Sequence, residues 1–231
     1  NPGPGQTNVA EQYDGTNWTT VGSLGTARRR LAGAGTQPAG LAIGGGTPAV
    51  SSLTEEYNFT TNTVTAGAWA SGNAMNTARA GLTGFGTQTA AIAANGDTYP
   101  PATGRYGNAA EEYNGSSWTN IASTNTSTNF AGSSKLSPAS AGSVFGGEPV
   151  SARHEYWDGS SWSEQTDMNT PRYGSAGAGT QTSSLVMAGI SDTDATEEWD
   201  GSSWTTTANV PFATFATPGA GSQTAAIIFG G

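Results

Sequence analysis

Three arginines, Arg28, Arg79 and Arg172, stand at equivalent points of a repeating sequence. A guanidinium fork can hold a carboxylate through two parallel hydrogen bonds. Two roles are open to them: holding an acidic ligand, or bonding main-chain carbonyls and neighbouring acids so as to brace the fold. Aromatic residues form a second candidate set. Tyr99, Tyr106 and Tyr173, with Arg105 beside the first two, lie in irregular stretches where a ring can stack on the apolar CH face of a sugar. Phe212 and Phe215 lie in similar surroundings but suit a packed core better. Asp192 and Asp194 alternate as oxygen ligands of calcium do, without the rest of a calcium loop, and are a weak metal candidate. His154 is the single histidine and replaces a glutamate of a recurring strand, which reads as a surface position rather than a catalytic base. Without it no Ser-His-Asp set can be assembled. The absence of cysteine removes thiolate nucleophiles and thiolate metal sites. The residues therefore point to a non-enzymatic protein, and none of them calls for a cofactor.

The elements that must position these residues repeat five times. Glu111–Trp118 reads EEYNGSSW, and Glu11–Trp18, His154–Trp162 and Glu197–Trp204 are close copies, with a looser one beginning at Glu55. The anchors Trp18, Trp69, Trp118, Trp162 and Trp204 are 51, 49, 44 and 42 residues apart. A second, independent anchor, the turn at Gln37, Gln88, Ala139, Gln181 and Gln223, gives spacings of 51, 51, 42 and 42. Such periods mark a repeat architecture. Each repeat reads as four short strands: a Gly/Ala-rich strand a, a Thr-Gln turn, an apolar strand b, a strand c carrying Glu-x-Tyr, an Asp-Gly or Asn-Gly hairpin, and a strand d opening at the tryptophan. No sustained helical period is present.

Four-stranded units repeated around an axis describe a β-propeller. The chain begins with a c–d pair and stops after an a–b pair, so the expected fold is one all-β, five-bladed propeller over residues 1–231, closed by a mixed blade from the two ends. Small residues on strand a (Gly33, Ala34, Gly35; Gly177, Ala178, Gly179; Gly219, Ala220, Gly221) allow close approach at the axis. The net charge of −9 argues against nucleic acid as a partner, and no apolar run approaches the ~18 residues of a membrane span, so no membrane insertion is expected. The start at Asn1-Pro2, without methionine, suggests a processed product or a domain of a longer protein.

The order Ile43-Gly44-Gly45, Tyr57, Trp69, Arg79, and again Phe145-Gly146-Gly147, Tyr156, Trp162, Arg172, resembles the kelch repeat. The likeness covers the whole chain. Two copies depart from Gly-Gly, at Asn95-Gly96 and Ala188-Gly189, and two lack the arginine. The near-identical, low-charge copies also resemble kelch-type repeats in structural proteins of bacteriophages and marine viruses. Kelch adaptors use arginines at such positions to bind carboxylates, which makes acidic peptides one implied partner of Arg28, Arg79 and Arg172. In a propeller the a–b and c–d turns share one face, here short and uniform. The longer b–c and d–a connections share the other (residues 47–54, 97–110, 148–153, 191–196 and the chain ends), and function collects in variable loops on a rigid scaffold. The expected function is a virion-surface or extracellular module that recognises a glycan or protein receptor through its variable face. The alternatives are an architectural module packed against other fibre or capsid chains, or an adaptor for acidic peptides.

Overall fold

The computed structural model describes residues 7–13, 17–47, 49–58, 68–98, 106–189, 194–211, 213–215 and 218–229. These form an all-β propeller of antiparallel sheets. Four blades have the strand order a–b–c–d. Blade 1 comprises Ala32–Thr36, Ala39–Ile43, Thr54–Asn58 and Ala68–Ser71; blade 2 comprises Thr83–Thr87, Ala90–Gly96, Gly107–Tyr113 and Trp118–Ile121. Blade 3 comprises Gly132–Ser133, Gly142–Phe145, His154–Trp157 and Trp162–Glu164; blade 4 comprises Ala176–Thr180, Ser183–Met187, Thr196–Trp199 and Trp204–Thr207. The elements expected to form a fifth blade stand as two separate two-stranded sheets, Glu11–Tyr13 with Trp18–Thr20 and Gly219–Gly221 with Ala226–Ile228. The rings of Trp18 and Phe229 lie 6.2 Å apart between these two pairs.

The strands labelled a do meet around the axis, and their small residues explain how. A Cβ on Gly177 would lie 2.3 Å from the Ser133 carbonyl of the neighbouring blade, inside van der Waals contact. Blade 3 breaks the Gly-Ala-Gly pattern, and its strand a is correspondingly short. The Ser134 hydroxyl there accepts from the Ser143 amide at 2.8 Å and takes over part of the missing ladder.

Between blades the core is aromatic and aliphatic. Tyr113 and Trp118 pack with Ile43, Met75 and Leu82; Phe85, Val144, Trp157 and Trp162 form the next layer, and Phe145, Val186, Trp199 and Trp204 the one after. Each such side chain stabilises the fold by roughly 1.5–3 kcal/mol. At the base of each described c–d hairpin an aromatic pair faces across the strands: Tyr13–Trp18, Tyr113–Trp118, Trp157–Trp162 and Trp199–Trp204, with centroids 5.2, 5.0, 5.2 and 5.4 Å apart. This register corrects the sequence alignment. Trp157, not Tyr156, is the counterpart of Tyr57 and Tyr113, because Trp157 pairs with Trp162 as Tyr113 pairs with Trp118. The hairpins of blades 2, 3 and 4 have four-residue loops. Asn114 and Asp158 accept main-chain N–H groups two and three residues ahead, and Gly115 and Gly159 take φ of +90° and +92°.

The repeated glutamines tie blade to blade. Gln88 Nε2 donates to the Tyr57 carbonyl at 2.8 Å, Gln181 to Trp157 at 2.8 Å, Gln223 to Trp199 at 2.7 Å and Gln37 to Tyr13 at 2.8 Å. The Thr-Gln turn is thus a lock onto strand c of the preceding blade.

Candidate functional site

The three repeated arginines are internal. Arg28 is 2% exposed, and Arg79 and Arg172 are 0% exposed. Arg28 Nη1 donates to the carbonyls of Gly44 (2.8 Å) and Leu53 (2.7 Å), and Nη2 to Glu55 Oε1 (2.8 Å). Arg79 repeats this with Asn95 (2.9 Å), Ala109 (2.5 Å) and Glu111 (3.0 Å). Arg172 repeats it with Ala188, Ala195 and Glu197. The same carboxylates accept amides from the preceding d–a connection: Gly25 for Glu55, Asn76 and Thr77 for Glu111, Asn169 and Thr170 for Glu197. Burial lowers each guanidinium pKa, and the facing glutamate opposes that fall. Of the two roles open to Arg28, Arg79 and Arg172, the structure assigns the brace: no guanidinium among them is presented to a ligand. The glutamates of strand c are the other half of each brace.

His154 is also inside, contrary to the surface position expected. It is 0% exposed and lies among Phe145, Tyr156, Trp199 and Trp204, with centroids 4.6–6.0 Å away. Trp204 Nε1–H donates to Nδ1 at 3.3 Å, which fixes the neutral tautomer. Burial pushes its pKa down to about 3, against a smaller opposing pull from the Thr166 backbone. The imidazole is a packing group with one specific acceptor.

On the variable face a run of main-chain bonds links four successive positions from Arg30 to Gly174. The Gly81 amide donates to Arg30, Phe130 to Gly81, and Gly174 to Phe130, at 3.2, 2.7 and 2.8 Å. All four residues have positive φ: Arg30 +56°, Gly81 +66°, Phe130 +51° and Gly174 +65°. Glycine suits that region, whereas side-chain-bearing residues adopt it at a cost of about 1–3 kcal/mol. The Arg30 guanidinium carbon lies 5.3 Å from the Phe130 ring centroid. Phe215, 38% exposed, stands 5.9 Å from Phe130 and 5.6 Å from Tyr173. Beside this cluster a recess of about 230 Å³ is lined by Arg29, Arg30, Ala49, Val50 and Asp97. Arg29 and Arg30 are exposed. The arrangement offers cationic donors, aromatic faces and a carboxylate at one mouth of the axis.

Of the other residues singled out, half-buried Tyr173 belongs to this cluster. Tyr106 is half-buried with its hydroxyl 3.3 Å from Glu148 Oε1. Asp194 accepts from Asn209 Nδ2 at 2.8 Å. Tyr99, Arg105, Asp192 and Phe212 lie outside the described residues. Among the described residues no group of three metal-ligating side chains is formed, and no helix is long and apolar enough to cross a membrane. Sequence reasoning missed Arg30 and Phe130. Their signal is positional: each stands two residues after Arg28 or its counterpart Thr128, where Gly81 and Gly174 follow Arg79 and Arg172.

No protein-family profile matches the sequence, and no curated protein sequence does. Solved structures do match in fold. One, titled "Structure of YjhT", aligns with a TM-score of 0.76 at 12% identity, covering 97% of this chain and 84% of that chain. At that identity the likeness speaks to architecture alone, and together with the four blades it identifies the chain as a β-propeller.

Proposed function

We propose that the chain is a non-enzymatic binding module, displayed on a virion or cell surface, that recognises a glycan or another receptor through its variable face. The observation that carries this reading is the Arg30–Phe130 platform. Two blades place glycine at this left-handed position, and two keep a bulky residue there at a conformational cost. The two bulky residues stack on each other beside an open recess. An arginine over a phenyl ring, with further aromatic faces alongside, suits a sugar bearing a carboxylate or an acidic receptor loop.

The test exploits the strain. Arg30→Gly and Phe130→Gly keep the fold and raise or maintain its melting temperature, while binding on a glycan array and to host cells drops at least tenfold. Absence of any ligand, or binding by both variants equal to that of the parent, refutes the proposal.

The reading includes a finer architecture, a kelch-like ring of five blades of the style seen in phage structural proteins, closed by the two end pairs. Carrying the b–c register of the other blades to the ends aligns Ala226 with Tyr13, Ile227 with Gln12 and Ile228 with Glu11. Two observations support closure. The Gln37–Tyr13 bond continues the blade-to-blade lock, and Tyr57 Oη donates to Gln12 Oε1 at 2.9 Å, as Tyr113 does to Glu56. The exposed Trp18, Ile227 and Phe229 are the groups that such a blade would cover.

A further inference from the structure

Blade 3 retains the acceptors of the arginine brace but has no arginine. The residue at the Arg79 position is Thr128, as the shared bonds of the following glycines identify: Gly45 N–H donates to Arg79, Gly96 to Thr128 and Gly147 to Arg172. The surrounding backbone keeps its shape. Gly146 N–H donates to Arg153 at 2.8 Å, as Gly44 does to Leu53, and Gly146 has φ +69° against +61° for Gly44. Glu155 is 3% exposed and accepts from the Asn125 and Thr126 amides at 2.7 and 3.0 Å, as Glu111 does from Asn76 and Thr77. The oxygens that hold a guanidinium elsewhere thus correspond here to Gly146 O, Arg153 O and a carboxylate oxygen of Glu155.

Among the described residues, no cationic side chain pairs with Glu155. The Arg153 side chain pairs with Glu164 in the open, and Lys135 Nζ donates to Gly84 O. The Asn95 amide, which reaches towards this region, donates to Thr124, Thr126 and Thr128. A buried carboxylate without a positive partner is strongly disfavoured. Three oxygen acceptors select a cation, and hard oxygens select an alkali or alkaline-earth ion. A single carboxylate among two carbonyls is too little charge and too few ligands for calcium.

We propose that blade 3 binds a small monovalent cation in the socket of Gly146 O, Arg153 O and the Glu155 carboxylate, in place of the guanidinium that braces blades 1, 2 and 4. The ion links the b–c connection of the blade to its third strand and so stabilises the folded chain. Thermal unfolding is measured in sodium, potassium and choline chlorides at equal ionic strength, and with millimolar guanidinium chloride as a probe shaped like the missing side chain. The melting temperature rises in sodium or potassium over choline, by roughly 3–5 °C for each tenfold increase above the dissociation constant. Low guanidinium reproduces the rise. Thr128→Arg supplies the cation covalently and abolishes the difference between salts; Glu155→Gln abolishes it too. Should Thr128→Arg fail to fold, sodium NMR relaxation decides, with broadening by the parent chain that guanidinium displaces and Glu155→Gln lacks. Equal melting in alkali and choline salts, or broadening unchanged in Glu155→Gln, overturns the proposal.

Discussion

Acid should weaken this propeller through a single side chain well above the pH at which its carboxylates protonate. His154 is fully buried among Phe145, Tyr156, Trp199 and Trp204 and is held neutral by the hydrogen bond from Trp204 to Nδ1. Its pKa falls from 6.5 in the open chain to about 3 in the fold. Between these values the unfolded chain binds a proton that the folded chain refuses, so stability is complete above about pH 6.5 and is lost as the pH falls towards 3. At about 1.4 kcal/mol per pH unit, the loss from pH 7 to 5 is about 2 kcal/mol, or roughly 4–8 °C of melting temperature for a chain of this size. The perturbation is His154→Thr, which installs the residue that blade 1 uses at the same place, where Thr54 Oγ1 accepts from Trp118 Nε1 at 3.2 Å. The variant has a smaller side chain and loses some stability at every pH. Its melting temperature, followed by tryptophan fluorescence at pH 7 and pH 5, should fall by several degrees less than that of the parent. A fall of the same size in both proteins would show that the imidazole accepts a proton inside the fold and that the argument from burial fails.

The remaining predictions concern the scaffold. Arg79→Met leaves the buried Glu111 without its guanidinium and should cost about 3–5 kcal/mol by chemical denaturation; Arg79→Met with Glu111→Leu should recover most of it, and an additive double variant would count against the brace. Gly177→Ala drives a methyl to within 2.3 Å of the Ser133 carbonyl, whereas Gly33→Ala meets nothing closer than 3.8 Å. The first should destabilise by at least about 1–3 kcal/mol and the second by less than about 1 kcal/mol, read as the difference in denaturation midpoint. Gln12→Cys with Ile227→Cys in this cysteine-free chain should form a disulfide rapidly in air and raise the melting temperature if the end pairs share a blade. Failure to cross-link, with both thiols reactive to a maleimide, would disprove that register.

What the sequence displayed, and what it concealed, follows from the geometry of a blade. The propeller fold, the four-strand unit and the small inner strands were legible because repetition copies them at fixed spacing. The arginine brace was legible as one of two open roles; the burial of strand c was not, because a polar side chain there, His154, reads as exposed. That inference holds for a sheet with one wet face. A blade is covered on both faces by its neighbours, so adjacent residues of strand c, His154 and Glu155 or Thr196 and Glu197, are all buried. The one-residue error at Tyr156 has a different source: tyrosine is matched to tyrosine, whereas the fixed point is the aromatic residue directly before the Asp-Gly or Asn-Gly turn, so that Glu111 to Tyr113 corresponds to Glu155 to Trp157.

Repetition also sorts the departures from itself. Some are compensated within the fold. Asn95 replaces a glycine, and its amide bonds Thr124 and Thr128, which stand where blade 2 has Met75 and Arg79. Ser134 in blade 3 supplies a side-chain acceptor where the strand pattern fails. Such changes answer each other locally and ask for no outside partner. Others have no answer in the described chain. Arg30 and Phe130 accept strained backbone in order to meet on an open face, and Glu155 keeps a buried carboxylate whose three counterparts each hold an arginine. In a protein built by copying, a costly difference that nothing inside the fold repays is where an external ligand or ion should be sought. The platform and the socket meet that criterion for different reasons, one facing a partner and the other a solute, which is why glycan binding and salt-dependent melting can succeed or fail independently.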